Sequence, residues 1–239
     1  MTMLIEARQR EILDILQQEK SVGVAALAKR LYASEPTIRR DLAALEAQGM
    51  LKRVYGGAML CGAPDREIPF AVRAEEQERA KSVMAKKASA FLHKGDVVFL
   101  DASSSAYHLA DYLRNVEDVL VITNGARTAI RLAELGVRVI STGGSMITRS
   151  FCLVGSHAES CVRSLHADVC FFSCRGLSDE GEMTDPSIEE INIRKIMLER
   201  SRKKILLCDS SKFGKQYVYS LGFRDTVDAV ISEIDEKKE

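Results

Sequence analysis

The sequence lacks long apolar runs: segments such as VVFL and VLVI are far shorter than the roughly 20 residues of a membrane-spanning helix. No signal peptide is expected, because the N-terminus MTMLIEARQR is charged early and has no apolar core. The chain also lacks internal repeats and low-complexity segments. These absences favour a cytoplasmic protein without membrane contact. Hydrophobic residues make up 46% of the 239 positions, which is enough to bury the core of one or two domains.

The cysteines lack the tight paired spacing that usually marks a structural zinc site. There are six of them: Cys61, Cys152, Cys161, Cys170, Cys174 and Cys208. One alternative is a zinc site built from histidines and cysteines that lie close together in sequence, namely His157, Cys161, His166, Cys170 and Cys174. Cys170 and Cys174, however, fall in or at the end of an apparent buried strand, VCFFSC. We therefore expect buried free thiols in a reducing compartment, with no metal and no cofactor.

The segment SEPTIRRDLAALEAQG has the pattern of an amphipathic helix. Ser34 is a favourable N-cap, Pro36 fits the first turn, and Gly49 suits the position just after the helix. Apolar residues recur with helical spacing and form one face: Ile38, Leu42 and Leu45.

The opposite face of this helix is unusual for a face in contact with water. It carries mainly small residues and one arginine: Pro36, Arg40, Ala43 and Ala47. Thr37 and Arg39 lie on its flanks. Small side chains let another surface come close, and arginines near the start of a helix can meet phosphates and base edges.

Two helical patterns precede this helix and two short strands follow it. The helical patterns cover Met3 to Glu19 and Val24 to Leu31, and the short turn YAS leads into the arginine helix. Downstream, MLKRVYGGAML predicts a hairpin around Gly56-Gly57, with Lys52 and Arg53 on it. This order predicts a winged helix-turn-helix whose last helix enters the major groove of DNA.

The local charge supports the same prediction. Residues 20–53 contain seven basic and three acidic side chains, a net charge of +4 in a chain whose formal net charge is zero. An ordinary solvated helix face is the alternative, but it leaves the alanine-rich outer face unexplained. We predict that double-stranded DNA is contacted by Ser34, Pro36, Thr37, Arg39, Arg40, Lys52 and Arg53.

Strand-like and helix-like segments alternate in the rest of the chain. The strand-like runs are VVFLD, VLVITN, VRVIST, VCFFS, KILLCD and DAVIS, with helical patterns between them. Short apolar strands that alternate with helices predict a parallel α/β sheet with both faces covered, a Rossmann-like architecture. The predicted organisation is a DNA-binding domain at residues 1–57, a linker at 58–75 and a ligand-binding domain at 76–239.

Polar loops follow five of these strands, and in parallel sheets ligands bind beyond the carboxyl ends of the strands. The predicted site residues are Asp101, Ser103, Ser104, Ser105, Asn124, Gly143, Gly144, Arg175, Asp209 and Lys212. The serines can hold an anion at the start of a helix, and Arg175 and Lys212 add positive charge. The side chains of Asp101, Asn124 and Asp209 can form hydrogen bonds with hydroxyl groups. This chemistry fits a phosphorylated sugar. Serine and glycine are also common in such loops for turn chemistry alone.

The segment SEPTIRRDLAALEAQGMLKRVYGGA closely resembles the N-terminal signature of the DeoR family of bacterial transcription regulators. DASSSAYHLA, VITNG, STGG and CDSSKFG are similar to further family segments, so the resemblance covers nearly the whole chain. It implies a winged helix-turn-helix followed by a sugar-phosphate-sensing domain whose fold is shared with ribose-phosphate isomerases, amino-sugar-phosphate deaminases and coenzyme A transferases. One departure is Ser103, which stands where the family has glycine.

Two functions follow from these patterns. The first is a transcription regulator of a carbohydrate operon, a repressor in the usual manner of such families, controlled by a phosphorylated sugar. It would act as a homodimer or higher oligomer, because one small helix-turn-helix reads few bases.

The alternative is a sugar-phosphate isomerase or deaminase with a nucleic-acid-binding module, whose acid–base candidates are Asp101, Asp185, Glu189 and Asp209. Such residues are more often helix caps. RNA binding is a weaker reading, because no aromatic stacking motif is present.

Overall fold

A computed structural model of the chain describes residues 2–19, 21–47, 50–54, 56–60 and 69–234. Internal contacts divide the chain into two compact units, Met1–Val72 and Arg73–Glu239. The predicted linker at 58–75 includes this division, but its residues 61–68, like Gly49 and the C-terminal residues 235–239, lie outside the described residues. None of the helices in the described ranges combines the length and the apolarity that crossing a bilayer would require.

The first unit has the predicted winged helix-turn-helix order. Its elements are α1 (Thr2–Glu19), β1 (Ser21–Gly23), α2 (Val24–Arg30), α3 (Glu35–Ala47), β2 (Leu51–Val54) and β3 (Gly57–Leu60). The strands form an antiparallel sheet in the order β1-β3-β2, so the hairpin gains a third strand that the sequence did not predict. The apolar face of α3 is fully buried through Ile38 and Leu42, each contributing about 1.5–3 kcal/mol of burial free energy.

Helix α3 is fixed at its start and along its length. The Ser34 hydroxyl accepts a hydrogen bond from the Thr37 amide at 3.4 Å, so Ser34 is the predicted N-cap. Further along, the buried carboxylate of Asp41 accepts from Arg8 Nη2 of α1 at 3.2 Å, and it also pairs with Arg8 Nε. This pairing ties α3 to α1, which keeps the outer face of α3 in one orientation.

The turn between α2 and α3 contains a left-handed residue that is not glycine. The Ala33 amide donates to the Ala28 carbonyl at 3.0 Å, the six-residue closure that ends many helices. This closure needs a positive φ at the intervening Tyr32, where φ is 49°. A side chain in this backbone conformation costs about 1–2 kcal/mol relative to the right-handed one, and glycine avoids most of that cost.

The second unit is an α/β domain. Its helices are α4 (Phe70–Glu75, which starts just before the division), α5 (Glu78–Ala88), α6 (Ser104–Tyr107), α7 (Ala110–Leu113), α8 (Ala126–Glu134), α9 (Ser156–Arg163) and α10 (Ile188–Glu199). Its strands are β4 (Val97–Leu100), β5 (Leu120–Thr123), β6 (Arg138–Ser141), β7 (Ser145–Ile147), β8 (Cys152–Val154), β9 (Ala167–Phe172), β10 (Gly176–Leu177), β11 (Glu182–Asp185), β12 (Ser201–Leu207), β13 (Tyr219–Phe223) and β14 (Ala229–Ile231).

The six predicted strands form one parallel sheet in the order β14-β12-β9-β4-β5-β6. Both faces are covered, since Phe171 and Phe172, adjacent on β9, are fully buried in two different core clusters. Strand order reverses between β4 and β9, because β5 and β6 lie to one side and β12 and β14 to the other. A crevice for a ligand is therefore expected beyond the carboxyl ends of β4 and β9.

Two smaller sheets were not predicted. The pair β7-β8 follows β6, and the sheet β10-β11-β13 follows β9 and brings Asp185 to the start of α10. Their strands have only two to five residues, and two of them contain a glycine, so they show little alternation of polar and apolar residues. The segment SAYHLADYLRN, which reads as one helix, forms the two short helices α6 and α7.

Candidate DNA-contacting surface and effector site

The described side chains among the residues predicted to contact DNA are exposed or half-buried. Ser34, Pro36, Arg39 and Arg40 are exposed, and Thr37 is half-buried by its hydrogen bonds to the cap. The side chain of Lys52 lies outside the described residues. The start of α3 therefore presents two arginines and the Ser34 side chain to solvent, at positions that the sequence analysis assigned to a DNA contact.

Two of the three described arginines on this surface are paired with glutamates. Arg39 Nη2 donates to Glu35 at 2.8 Å, one turn earlier on α3. Arg53 on the hairpin donates to Glu46 through its amide and its Nε, both at 2.8 Å. Arg40 makes no ion pair with any described residue. The pair of Arg53 and Glu46 joins the hairpin to the recognition helix.

A groove runs between α3 and the hairpin. It has a volume of about 590 Å³, and Arg39 and Arg53 line it together with the hairpin glycines. Gly57 is required there by a close approach of backbone, because a Cβ at this position would come within 2.4 Å of the Val22 carbonyl oxygen. The groove thus combines closely packed backbone with two cationic side chains.

In the second unit, Asp101 joins the two loops at the crevice. One carboxylate oxygen accepts from the Ser103 amide at 3.0 Å, and the other accepts from the Ser173 amide at 3.1 Å and from Arg194 Nε at 3.0 Å. The side chain is only 1% exposed. Asp101 therefore holds the loops after β4 and β9 together. The sequence analysis assigned this carboxylate to a sugar hydroxyl, but few of its lone pairs remain free to accept one.

Arg194, a residue that sequence analysis did not select, lies below this junction on α10. Besides Asp101, it donates to Asp185 at 3.2 Å and to Glu190 at 3.4 Å. Burial opposes its charge, but the three carboxylates outweigh that effect and raise its pKa. Burial in turn raises the pKa of Asp185, and Arg194 offsets this only in part. One signal was present in the sequence: an arginine among the buried isoleucines of INIRKIM.

Lys212 forms a polar centre beyond the carboxyl ends of β4 and β9, where the crevice is expected. Its Nζ donates to Ser173 Oγ at 2.7 Å and to Ser105 Oγ at 3.1 Å, and it lies 3.3 Å from Asp209. Burial alone would favour the protonated form of Asp209, but Lys212 and the Ser211 hydroxyl keep the pKa of that carboxyl below its ordinary value. The structure thus brings together Ser105, Asp209 and Lys212, as predicted, and adds Ser173.

The other two predicted serines play different parts. Ser103 Oγ accepts from the Ala106 amide at 3.0 Å and caps α6, and Ser104 is buried beside it. Helix α6 has only four residues, so its dipole is small compared with that of a full helix. Any attraction for an anion at this loop therefore depends mainly on Lys212.

Asn124, Gly143 and Gly144 lie towards β8, and no hydrogen bond among the described residues joins them to Lys212. The buried amide of Asn124 donates to the Leu153 carbonyl at 3.4 Å, while its Oδ1 accepts from no described group. Gly144 is required by packing, because a Cβ there would lie 2.5 Å from the Val154 carbonyl oxygen.

Arg175 is the last of the predicted effector residues. Its amide donates to the Thr184 carbonyl at 3.0 Å, which continues the β10-β11 pairing by one residue. Its Nε is buried and has no hydrogen-bond partner among the described residues. Arg175 follows β9 by three residues, and its charge, like that of Arg194, partly offsets the rise that burial causes in the pKa of Asp185.

A second lysine lies near Lys212. Lys81 on α5 is 3% exposed, and its ammonium donates to the main-chain carbonyls of Arg73 and Glu76. Burial, followed by the charge of Lys212, lowers the pKa of Lys81 to about 8. His108 contacts the Ala74 carbonyl at 3.3 Å, so two side chains hold the carbonyls at the end of α4. Sequence analysis selected neither residue.

The acid–base candidates of the alternative enzyme function are all engaged. Asp101 and Asp185 bind Arg194, Asp209 faces Lys212, and Glu189 accepts from the Ser187 hydroxyl at 3.2 Å. Within the described ranges, no three His, Cys, Asp or Glu side chains converge as metal ligands. The described cysteines are free thiols, four of them buried.

Comparisons with known proteins agree with this architecture. A DeoR-like helix-turn-helix domain matches residues 8–63, and a DeoR C-terminal sensor domain matches residues 76–234. The HTH-type transcriptional regulator GolR of Listeria innocua is 35% identical over 95% of this chain and 89% of its own length. The L-fucose operon activator of Escherichia coli is 32% identical, with coverage of 95% and 94%.

Among solved structures, eIF2B delta from Chaetomium thermophilum superposes with a TM-score of 0.51. It is 17% identical, and the match covers 69% of this chain and 59% of that one, which supports the α/β fold alone. The two family matches together cover most of the chain, and the similar curated proteins are named as regulators rather than enzymes. The chain therefore belongs to the DeoR family of transcription regulators.

Proposed function

We propose that this protein binds operator DNA in the cytoplasm and represses a carbohydrate operon until a phosphorylated sugar occupies the crevice around Lys212. The observation that carries the proposal is the position of Lys212. Its ammonium lies at the point where the sheet reverses its strand order, between two serine hydroxyls and one carboxylate. Such a site suits a small anion with hydroxyl groups.

A phosphate is favoured over a neutral sugar by the charge around Lys212. A phosphate dianion attracts the ammonium more strongly than the single charge of Asp209 does, and the hydroxyl of Ser105 can donate to its oxygens. Asp209, once displaced from Lys212, and the unpartnered Oδ1 of Asn124 can then accept from sugar hydroxyls. The name of the L-fucose operon relative supports a carbohydrate context.

Regulation requires the effector to bind the DNA-competent and DNA-incompetent states with different affinity. DNA must then change the affinity for the effector by the same factor. The carbonyls at the end of α4, held by Lys81 near Lys212, give a physical connection between the crevice and the segment that leads to the DNA-binding unit.

Lys212→Ala tests the effector site. We expect a panel of sugar phosphates to raise the melting temperature of the wild type, since a ligand that binds only the folded state stabilises it. Lys212→Ala should lose this shift and the ligand response in gel-shift assays, yet keep its DNA affinity without ligand. Ser104→Asp should behave alike, because it places a negative charge beside the phosphate.

Lys215→Ala is a matched control, since Lys215 is exposed three residues further on. It should respond to ligand as the wild type does. A wild-type ligand response in Lys212→Ala would show that the phosphate binds elsewhere. Loss of DNA binding in both site variants without ligand would instead show that these residues are structural. A reporter driven by the target promoter decides between repression and activation.

A further inference from the structure

Tyr32 is the most exposed large hydrophobic residue in the described part of the chain. Its side chain is 98% exposed, and it stands in the turn between the two helices of the helix-turn-helix. Its backbone is left-handed, with φ of 49°, because the Ala33 amide must reach the Ala28 carbonyl. Glycine or asparagine is the residue normally found at such a position.

Within the described ranges, no packing contact compensates for this arrangement. A side chain with 98% exposure gains almost no burial free energy, so the apolar ring does not offset the backbone strain. A strained residue that the fold itself does not need is a reason to look for a function. The function must involve a partner that meets Tyr32 from outside.

The neighbours of Tyr32 indicate which partner this is. Two residues later, Ser34 caps α3 by accepting from Thr37, so Tyr32 projects close to the start of the recognition helix. Arg39 and Arg40 follow along the same helix, and both are exposed. Proteins that read DNA make most of their hydrogen bonds to the phosphate backbone, and tyrosine hydroxyls are among the donors.

We propose that Tyr32 contacts the DNA backbone, with its phenol hydroxyl donating to a phosphate oxygen beside the start of α3. The inference rests on the proposed binding of operator DNA. Since the phenol is neutral, this contact positions the recognition helix without adding to the charge that DNA neutralises. It should therefore strengthen binding to all duplexes alike.

The test compares the full-length wild type with Tyr32→Phe and Tyr32→Gly. The probes are a fluorescent duplex selected by the wild type from a random library and a scrambled duplex of equal length. Both variants should bind both duplexes about tenfold more weakly, the loss of one hydrogen bond to a charged group. The slope of log affinity against log salt should stay unchanged, because no cation is removed.

Tyr32→Gly should also raise the melting temperature by about 2–8 °C, because it relieves the left-handed backbone. Opposite changes in stability and DNA affinity separate a contact with DNA from a role in folding. Tyr219→Phe, a tyrosine in the second unit, is the matched control and should bind DNA as the wild type does.

Two results would overturn the inference. The first is wild-type DNA affinity in both Tyr32 variants, which leaves the proposed DNA binding intact. The second is a change of oligomeric mass in Tyr32→Gly by light scattering, which would assign the ring to a contact between protein copies. A wild-type protein that retained no affinity for any duplex would refute both the proposed function and this inference.

Discussion

Arg194 shows that part of the site depends on residues whose partners cannot be read from the sequence. Its three carboxylate partners are 93, 9 and 4 positions away in sequence, so only the folded sheet brings Asp101 to it. The predicted residues Lys212 and Asp209 were visible because they share one loop. Arg194 and Lys81 were not, because each lies on a helix whose spacing indicates only which face is buried.

Lys81 has a consequence for stability that can be measured. Its pKa is about 8 in the folded chain and 10.5 in the unfolded one, so between these values the unfolded chain binds more protons. This lysine therefore lowers stability below pH 8, and that loss is relieved as pH rises from 8 to 10.5. The full effect is about 2–4 kcal/mol.

We expect urea unfolding of the wild type and of Lys81→Met to show this difference. The stability of the wild type relative to the variant should rise between pH 7.5 and pH 10, because only the wild type relieves a buried charge. Lys86→Met is the control, since Lys86 is exposed on the same helix. Parallel pH profiles for the wild type and Lys81→Met would contradict the lowered pKa.

At the scale of elements, the helix α3 and the six strands of the parallel sheet were predictable from local patterns. The N-cap at Ser34, the spacing of Ile38 and Leu42, and runs such as VCFFS carry their own signal. The order of the strands was not predictable, because any parallel pair satisfies the same apolar runs. The short strands β10 and β11 were missed because they are stabilised by their partners in the sheet rather than by local pattern.

The two arginines at the start of α3 are expected to contribute to DNA binding but not to stability. Replacing both Arg39 and Arg40 with alanine should leave the melting temperature nearly unchanged, because both side chains are exposed. It should weaken operator binding by roughly 1–3 kcal/mol for each arginine, as expected for a base or phosphate contact. Gel shifts at two salt concentrations measure this loss, and the salt slope should fall as well.

Arg114→Ala provides the comparison for that double variant. Arg114 is exposed in the second unit, so its loss should not alter the affinity for DNA. A double variant whose affinity stayed within twofold of the wild type would mean that these arginines serve only solubility. In that case the other residues that line the groove, such as Arg53, would have to make the contacts.

At the scale of the whole molecule, the chain is two compact units, and each corresponds to one family match. The N-terminal unit carries the basic surface, and the C-terminal unit carries the crevice. The resemblance of the sequence to its family predicted this order of a helix-turn-helix and a sensor domain. The contacts of Lys81 with the end of α4 could not be predicted in the same way, because they arise from packing.

We expect the protein to be a homodimer or a higher oligomer, formed mainly through the second unit or the segment before it. One recognition helix contacts too few bases to select an operator, and two copies bound to repeated half-sites double the number of bases contacted. Light scattering of the free protein and of its complex with a selected duplex measures the mass. A single copy in both samples would rule this assembly out.

The glutamates beside Arg39 and Arg53 bear on how such a regulator finds its operator in a chromosome. Binding to random DNA is mainly electrostatic, so a cation already paired with Glu35 or Glu46 gains less from an arbitrary phosphate. An operator that also offers base contacts can compete for the same arginines. We therefore expect the protein to dissociate quickly from random DNA and to find its operator faster. In this role the carboxylates of Glu35 and Glu46 take the place of DNA phosphates until the operator is bound.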